Sequence, residues 1–178
     1  MQDEESLVKR AQQRDEAAFT RLYEEHFNKI YRYCALRIGN EMEAEDMAQQ
    51  VFLRALESIG SYKWKGVPFS SWLFRIAHNQ VVDYHRKRVK RVTTPLEDGI
   101  AGPSSDDPSE LCEQKVDIEE VGLAVKRLTQ AQREVISLRF AAELPIAEVA
   151  KIMGKSEGAI KALQHSAVVT LRKILSEE

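Results

Sequence analysis

Cysteine is scarce: the 178 residues include two, Cys34 and Cys112, in no CxxC pair and beside no histidine cluster. Neither a zinc site nor a disulfide scaffold is expected, so no metal ligand is assigned. Long apolar runs are absent too, and the opening MQDEESLVKR lacks the basic start and apolar core of a secretory signal. No membrane partner is expected, and the cytoplasm is the expected location. A phosphate-binding glycine loop is also missing, because Gly154 and Gly158 lack the preceding strand and the Lys-Ser/Thr that would follow. These absences leave no catalytic residue, cofactor or small-molecule substrate to assign. Asp83, His78 and His85 could be drawn as a metal-nuclease triad, but they fall on one amphipathic helix with no further ligands.

What is present is charge, unevenly placed. The total of -2 conceals a net of +7 over residues 54–91 and of -8 over residues 92–124. Nucleic-acid surfaces depend on such local fields, so near-neutrality of the whole does not exclude one. The basic part contains the organising stretch of the chain, YKWKGVPFSSWLFRIAHNQVVDYHRKR. It opens with Tyr62, Lys63, Trp64 and Lys65, and Gly66 and Pro68 mark a loop. Phe69, Trp72, Leu73, Ile76, Ala77, Val81 and Tyr84 then recur at helical spacing, with Arg75, His78, Asn79 and Val82 off that face. The helix leaves through His85, Arg86, Lys87 and Arg88. Aromatic faces with adjacent cations suit unpaired bases and phosphates. Phe69 and Trp72 are expected in the core; for Tyr62 and Trp64, core packing and base stacking both stay open.

Periodicity makes the whole chain helical. Asp15 is expected to cap a helix carrying Phe19, Leu22, Tyr23, Phe27, Ile30, Cys34 and Ile38, closed by Gly39. A further helix from about Glu43 to Ile59 buries Ala44, Met47, Ala48, Val51, Phe52 and Ala55. Its acidic first turns, including Glu43 and Asp46, favour the helix dipole, and Gln49, Gln50, Leu53 and Arg54 give it a second face suited to a partner protein. From Val92 to Lys115, proline, glycine, serine and acid replace apolar residues, which predicts a flexible tether. Beyond it, Thr129 and Gln132 have capping-box spacing ahead of a helix with Val135, Ile136, Leu138 and Phe140. Pro145 suits a helix's first turn, Gly154 ends that helix, and Ser156 caps the next. This reads as a helix-turn-helix, whose second helix would show Ser156, Glu157, Ala159, Lys161, Ala162 and His165 to the DNA major groove. The expected architecture is all-α, with two small helical domains at 1–91 and 116–178 joined by a flexible acidic linker at 92–115. A stand-alone helix-turn-helix regulator is the alternative reading; it gives the basic aromatic stretch and the anionic tether no task.

The segments EAEDMAQQVFLRAL, YKWKGVPFSSWLFRIAHNQVVDYHRKR, LTQAQREVISLRF and LPIAEVAKIMGKSEGAIKAL together resemble the sigma-70 family, in its extracytoplasmic-function (ECF) branch. The resemblance implies a bacterial transcription initiation factor, not an enzyme, with core RNA polymerase and promoter DNA as partners. It implies that the helix carrying Glu43, Asp46, Gln49, Gln50, Leu53 and Arg54 docks on the polymerase clamp. The loop around Tyr62–Lys65 would hold a flipped base, with Arg75, His78, Asn79 and Arg86–Arg88 on minus-ten DNA, and the helix from Ser156 would read the minus-thirty-five element. It further implies a linker threading the polymerase cleft and an anti-sigma protein clamping both domains. Gln50, where the family often has an acid, and Ser166, where it often has arginine, depart from the pattern. With the chain ending at Glu178, control is expected to come from elsewhere.

Overall fold

The computed structural model describes residues 2–64, 68–93 and 123–176, and every regular element among them is helical. The main helices, in order, are α1 (Gln2–Gln12), α2 (Glu16–Ile38), α3 (Glu41–Ser58), α4 (Phe69–Thr93), α5 (Gln130–Ile136), α6 (Ile146–Met153) and α7 (Glu157–Ser176), with a short 3-10 turn at Ile59–Ser61 after α3. The all-α class is therefore as expected. Lys65, Gly66, Cys112 and the anionic stretch from residue 94 to 122 lie outside the described residues.

Local chemistry sets the helix ends. Asp15 caps α2 by accepting from the Ala18 amide at 3.1 Å, and Arg10 Nε donates to its other oxygen at 2.8 Å. Gly39 closes α2 at φ +76°, a left-handed conformation that favours glycine. α3 starts two residues ahead of the expected Glu43, because the Asn40 side chain accepts from the Glu43 amide at 2.9 Å.

α2, α3 and α4 form a bundle that buries Leu22, Ile30 and Cys34, then Ala44, Ala48, Val51 and Ala55, then Leu73, Phe74, Ala77 and Val81. Ala44, Ala48, Val51 and Ala55, at three- and four-residue steps, put small side chains on the buried face of α3 and let neighbouring backbones approach closely. Burial pushes the Cys34 thiol up to about 12, so this cysteine acts as a packing group and not as a nucleophile.

In the C-terminal segment the capping box forms as expected. Thr129 Oγ1 accepts from the Gln132 amide at 3.3 Å, and Gln132 Oε1 accepts from the Thr129 amide at 3.1 Å. Phe140 is 57% exposed. The cause is a π turn over Ser137–Ala141 continuing α5, which inserts extra backbone and rotates Phe140 outward while Ala141 and Ala142 turn in. Pro145 immediately precedes α6 instead of lying in its first turn. Gly154 ends α6 at φ +62°, and Ser156 Oγ caps α7 by accepting from the Ala159 amide at 3.2 Å.

The apolar interior is continuous across both segments. Val135, Leu138, Leu144, Val149, Ile152 and Ile160 join the cluster of α2–α4, while Leu128, Ile136 and Ala167 form a smaller one between α5 and α7. α5 and the π turn lie on α2, and α6 lies on α4.

Candidate nucleic-acid interface

The loop after α3 is built on rings. Tyr62 lies 5.1 Å from Trp72, 5.8 Å from Phe69 and 6.4 Å from Trp64, between ring centroids. Such edge-on and tilted pairs are the favoured aromatic geometries. Tyr62 is buried at 8% exposure, Trp64 is half-buried, and Lys63 is exposed. Burial, with Glu4 and Glu5 nearby, pushes the Tyr62 phenol up to about 12. Tyr62 is thus a wall of the ring cluster, and Trp64 is the ring at its edge. The Gln12 side chain fixes the loop's entry: its Nε2 donates to Ile59 O at 3.0 Å and to Tyr62 O at 2.7 Å. Nothing in the sequence singles out this glutamine, whose partners lie some fifty positions away.

Along α4, Arg75, Asn79, Arg86, Lys87 and Arg88 are exposed. Arg86 pairs with Asp83 at 3.1 Å, and Arg88 donates to Tyr84 Oη at 2.8 Å, which in turn donates to Glu43 at 2.7 Å. Exposed pairs of this kind contribute little to stability. His78 is different: its Nδ1 lies 2.8 Å from Glu134 Oε1, inside the junction between the two segments.

Glu134 is the centre of that junction. Tyr33 Oη donates to Oε1 at 2.8 Å, and Arg37 Nη2 lies 2.7 Å from Oε2 as an ion pair lacking hydrogen-bond alignment. Arg37 and Glu134 are 1% and 4% exposed. Burial would raise the Glu134 carboxyl, but the His78 hydrogen bond, the Arg37 charge and the Tyr33 hydroxyl together hold it below the usual glutamate value. Arg37 Nη1 also donates to Gln130 O at 3.2 Å, and Lys29 pairs with Glu143 at 2.6 Å nearer the surface. Sequence reasoning missed the group, although one acid among Val135, Ile136 and Leu138 on a buried helix face was its available signal.

On α3, Glu43, Asp46, Gln49, Gln50, Leu53 and Arg54 are all exposed. Leu53 at 58% and Leu56 at 50% make that face apolar as well as polar, and Leu56 was not anticipated. At the opposite end of the chain, Ser156, Glu157, Lys161, Ala162 and His165 are exposed and Ala159 is half-buried. Ser166 Oγ accepts from Gln132 Nε2 at 2.8 Å, so this departure from the family pattern ties α7 to α5.

A ring-lined loop beside a basic helix, an exposed mixed apolar and polar face on α3 and an outward helix-turn-helix are together the features of a helical DNA-binding protein. Family comparison narrows the class. The Sigma-70 region 2 family matches residues 22–91, and Sigma-70, region 4 matches residues 124–173. The chain is 39% identical over 173 residues to the ECF RNA polymerase sigma factor BldN of Streptomyces coelicolor, covering 97% of this chain and 66% of that protein. It is 30% identical over 181 residues to the ECF RNA polymerase sigma factor SigW of Bacillus subtilis, covering 96% and 95%. The solved structure of CnrH in complex with the cytosolic domain of CnrY shares the fold at a TM-score of 0.75 and 21% identity, covering 99% of both chains. The chain belongs to the sigma-70 family of RNA polymerase sigma factors, in its ECF group.

Proposed function

We infer that this sigma factor docks the α3 face on core RNA polymerase, opens promoter DNA with the Tyr62–Lys65 loop and α4, and reads the upstream element with the start of α7. The observation that carries the reading is exposure: the proposed α3 contacts and the upstream-reading face of α7 project outward at the same time. Trp64 offers a ring to an extruded base, and Lys63, Arg86, Lys87 and Arg88 offer charge to phosphates. Unstacking one base costs a few kcal/mol, a deficit that ring capture and phosphate pairing can offset without hydrolysis. The protein is accordingly a cytoplasmic, non-enzymatic factor needing no cofactor, and a protein that holds the two segments together would silence it as an anti-sigma factor.

Both DNA contacts cannot be made in the closed arrangement. Elements centred at minus ten and minus thirty-five lie about 85 Å apart at about 3.4 Å per base pair. A packed chain of this length spans only about 40 Å. The residue 1–91 and 116–178 segments are therefore separable modules that part at the Glu134 junction when polymerase carries them.

Transcription from a promoter library by core polymerase plus this protein tests the function; no template-specific product would refute it. Gel filtration with core separates it from a stand-alone regulator, which would ignore core and elute alone. Trp64→Ala is expected to slow promoter opening, read by permanganate reactivity, more than tenfold while closed-complex affinity changes less than threefold, since one stacked base contributes about 1–3 kcal/mol. Lys161→Glu is expected to weaken binding to an upstream-element duplex about tenfold, the order of a lost base or phosphate contact plus repulsion, with core affinity unchanged.

A further inference from the structure

The junction holds more donors than its one carboxylate uses well. Tyr33 and Arg37 from α2 and His78 from α4 converge on Glu134, yet Arg37 Nε is buried without a partner and Arg37 Nη2 lies against Oε2 off the hydrogen-bonding angle. A planar carboxylate therefore fits this fork incompletely. A tetrahedral oxyanion has further oxygens to offer the guanidinium, and Arg, Tyr and His side chains are standard donors to DNA phosphates.

Apart from the Arg37 Nη1 bond to Gln130 O of α5, the supports of these donors lie in the N-terminal segment. The Tyr33 ring stands edge-on against Phe74 at 5.7 Å and 82°, and His85 Nε2 lies 3.2 Å from Arg37 O at the end of α2. Neither of these two contacts comes from α5, α6 or α7. His78 also adjoins exposed Asn79, on the helix that carries Arg86–Arg88. Once α5 leaves, the three donors flank the surface proposed above for minus-ten DNA. An acidic polymerase side chain would meet the same donors but would not account for this continuity with the basic helix.

Resting on the initiation-factor reading, we propose that Tyr33, Arg37 and His78 form a backbone-phosphate site for promoter DNA, which the closed molecule fills with its own Glu134 carboxylate. Glu134 is then an internal competitor of DNA as well as the tie between segments.

The two roles predict opposite signs, which makes them separable. Full-length wild type, Glu134→Gln, Arg37→Met or Tyr33→Phe, free of core, is titrated with a fluorescent promoter fragment between 50 and 200 mM salt, and association with core is measured separately. Glu134→Gln should bind DNA severalfold more tightly, because the competitor is gone and the donors remain. Arg37→Met should bind more weakly with a salt slope about 0.9 smaller, so that its affinity falls about 3.5-fold less than that of wild type across this range. Tyr33→Phe, a smaller change that preserves the fold if Arg37→Met does not, should weaken binding about fivefold, as for one lost hydrogen bond. If Arg37→Met and Tyr33→Phe bind more tightly alongside Glu134→Gln, the donors are only a tie and the proposal is wrong. If Arg37→Met instead weakens association with core itself, the anion belongs to polymerase and the proposal is again wrong. Failure of wild type with core to select any promoter removes the initiation-factor reading, and the phosphate site with it.

Discussion

Glu134→Ala is expected to part the two halves of the molecule while leaving each helical. The substitution strands the Arg37 guanidinium, 1% exposed, without its carboxylate and removes the acceptor of Tyr33 and His78. Breaking one side of a buried ion pair costs about 3–5 kcal/mol. Opening lets water solvate Arg37, so the penalty falls on the junction and not on either bundle. Small-angle scattering should show the radius of gyration rising from about 16 Å for a packed chain of this length. Far-ultraviolet circular dichroism should stay within about a tenth of wild type. An unchanged radius would mean that the apolar contacts of α5 and α6 suffice to hold the closed form. Acid should act in the same direction. Because the junction holds the Glu134 pKa down, its contribution is complete above the unfolded glutamate value of about 4.3 and is lost as pH falls through the lower folded value.

Phe74→Ala is expected to act in the opposite way, unfolding the N-terminal bundle instead of detaching it. Phe74 is fully buried in α4, with its ring against Tyr33. Truncating a buried phenylalanine costs about 3–5 kcal/mol through lost transfer and the cavity left behind. For a chain of this size, that lowers the melting temperature by about 10 °C. Core binding and promoter opening should decline together with the folded fraction. A melting temperature within about 2 °C of wild type would mean that the site collapses around the smaller side chain.

The helices were legible in the sequence wherever one periodic face met one cap, as at Asp15, Gly39, Thr129 and Ser156. The exposed α3 and α7 positions were legible for the same reason, because a helix that buries Ala44, Val51 and Ala55 must turn Gln49, Leu53 and Arg54 outward. The π turn was not, since one inserted backbone step leaves the residue pattern of Ser137–Ala141 looking α-helical. Long-range polar partners were illegible on similar grounds. Glu134 meets Tyr33 across 101 positions, and no local spacing rule connects an acid on one helix with a hydroxyl on another so distant. His78 shows the same limit: periodicity placed it off the apolar face of α4, but only the packing of α5 shows which neighbour it meets.

The grip of Gln12 on two carbonyls gives the first helix a reach beyond its own packing. Because a single amide spans the short turn that leads into the ring cluster, anything that unravels α1 would slacken the loop proposed to open DNA while leaving the helix-turn-helix in place. A purification handle fused at the front could thus yield protein that assembles and selects promoters normally yet initiates poorly, whereas the same handle at the rear would not.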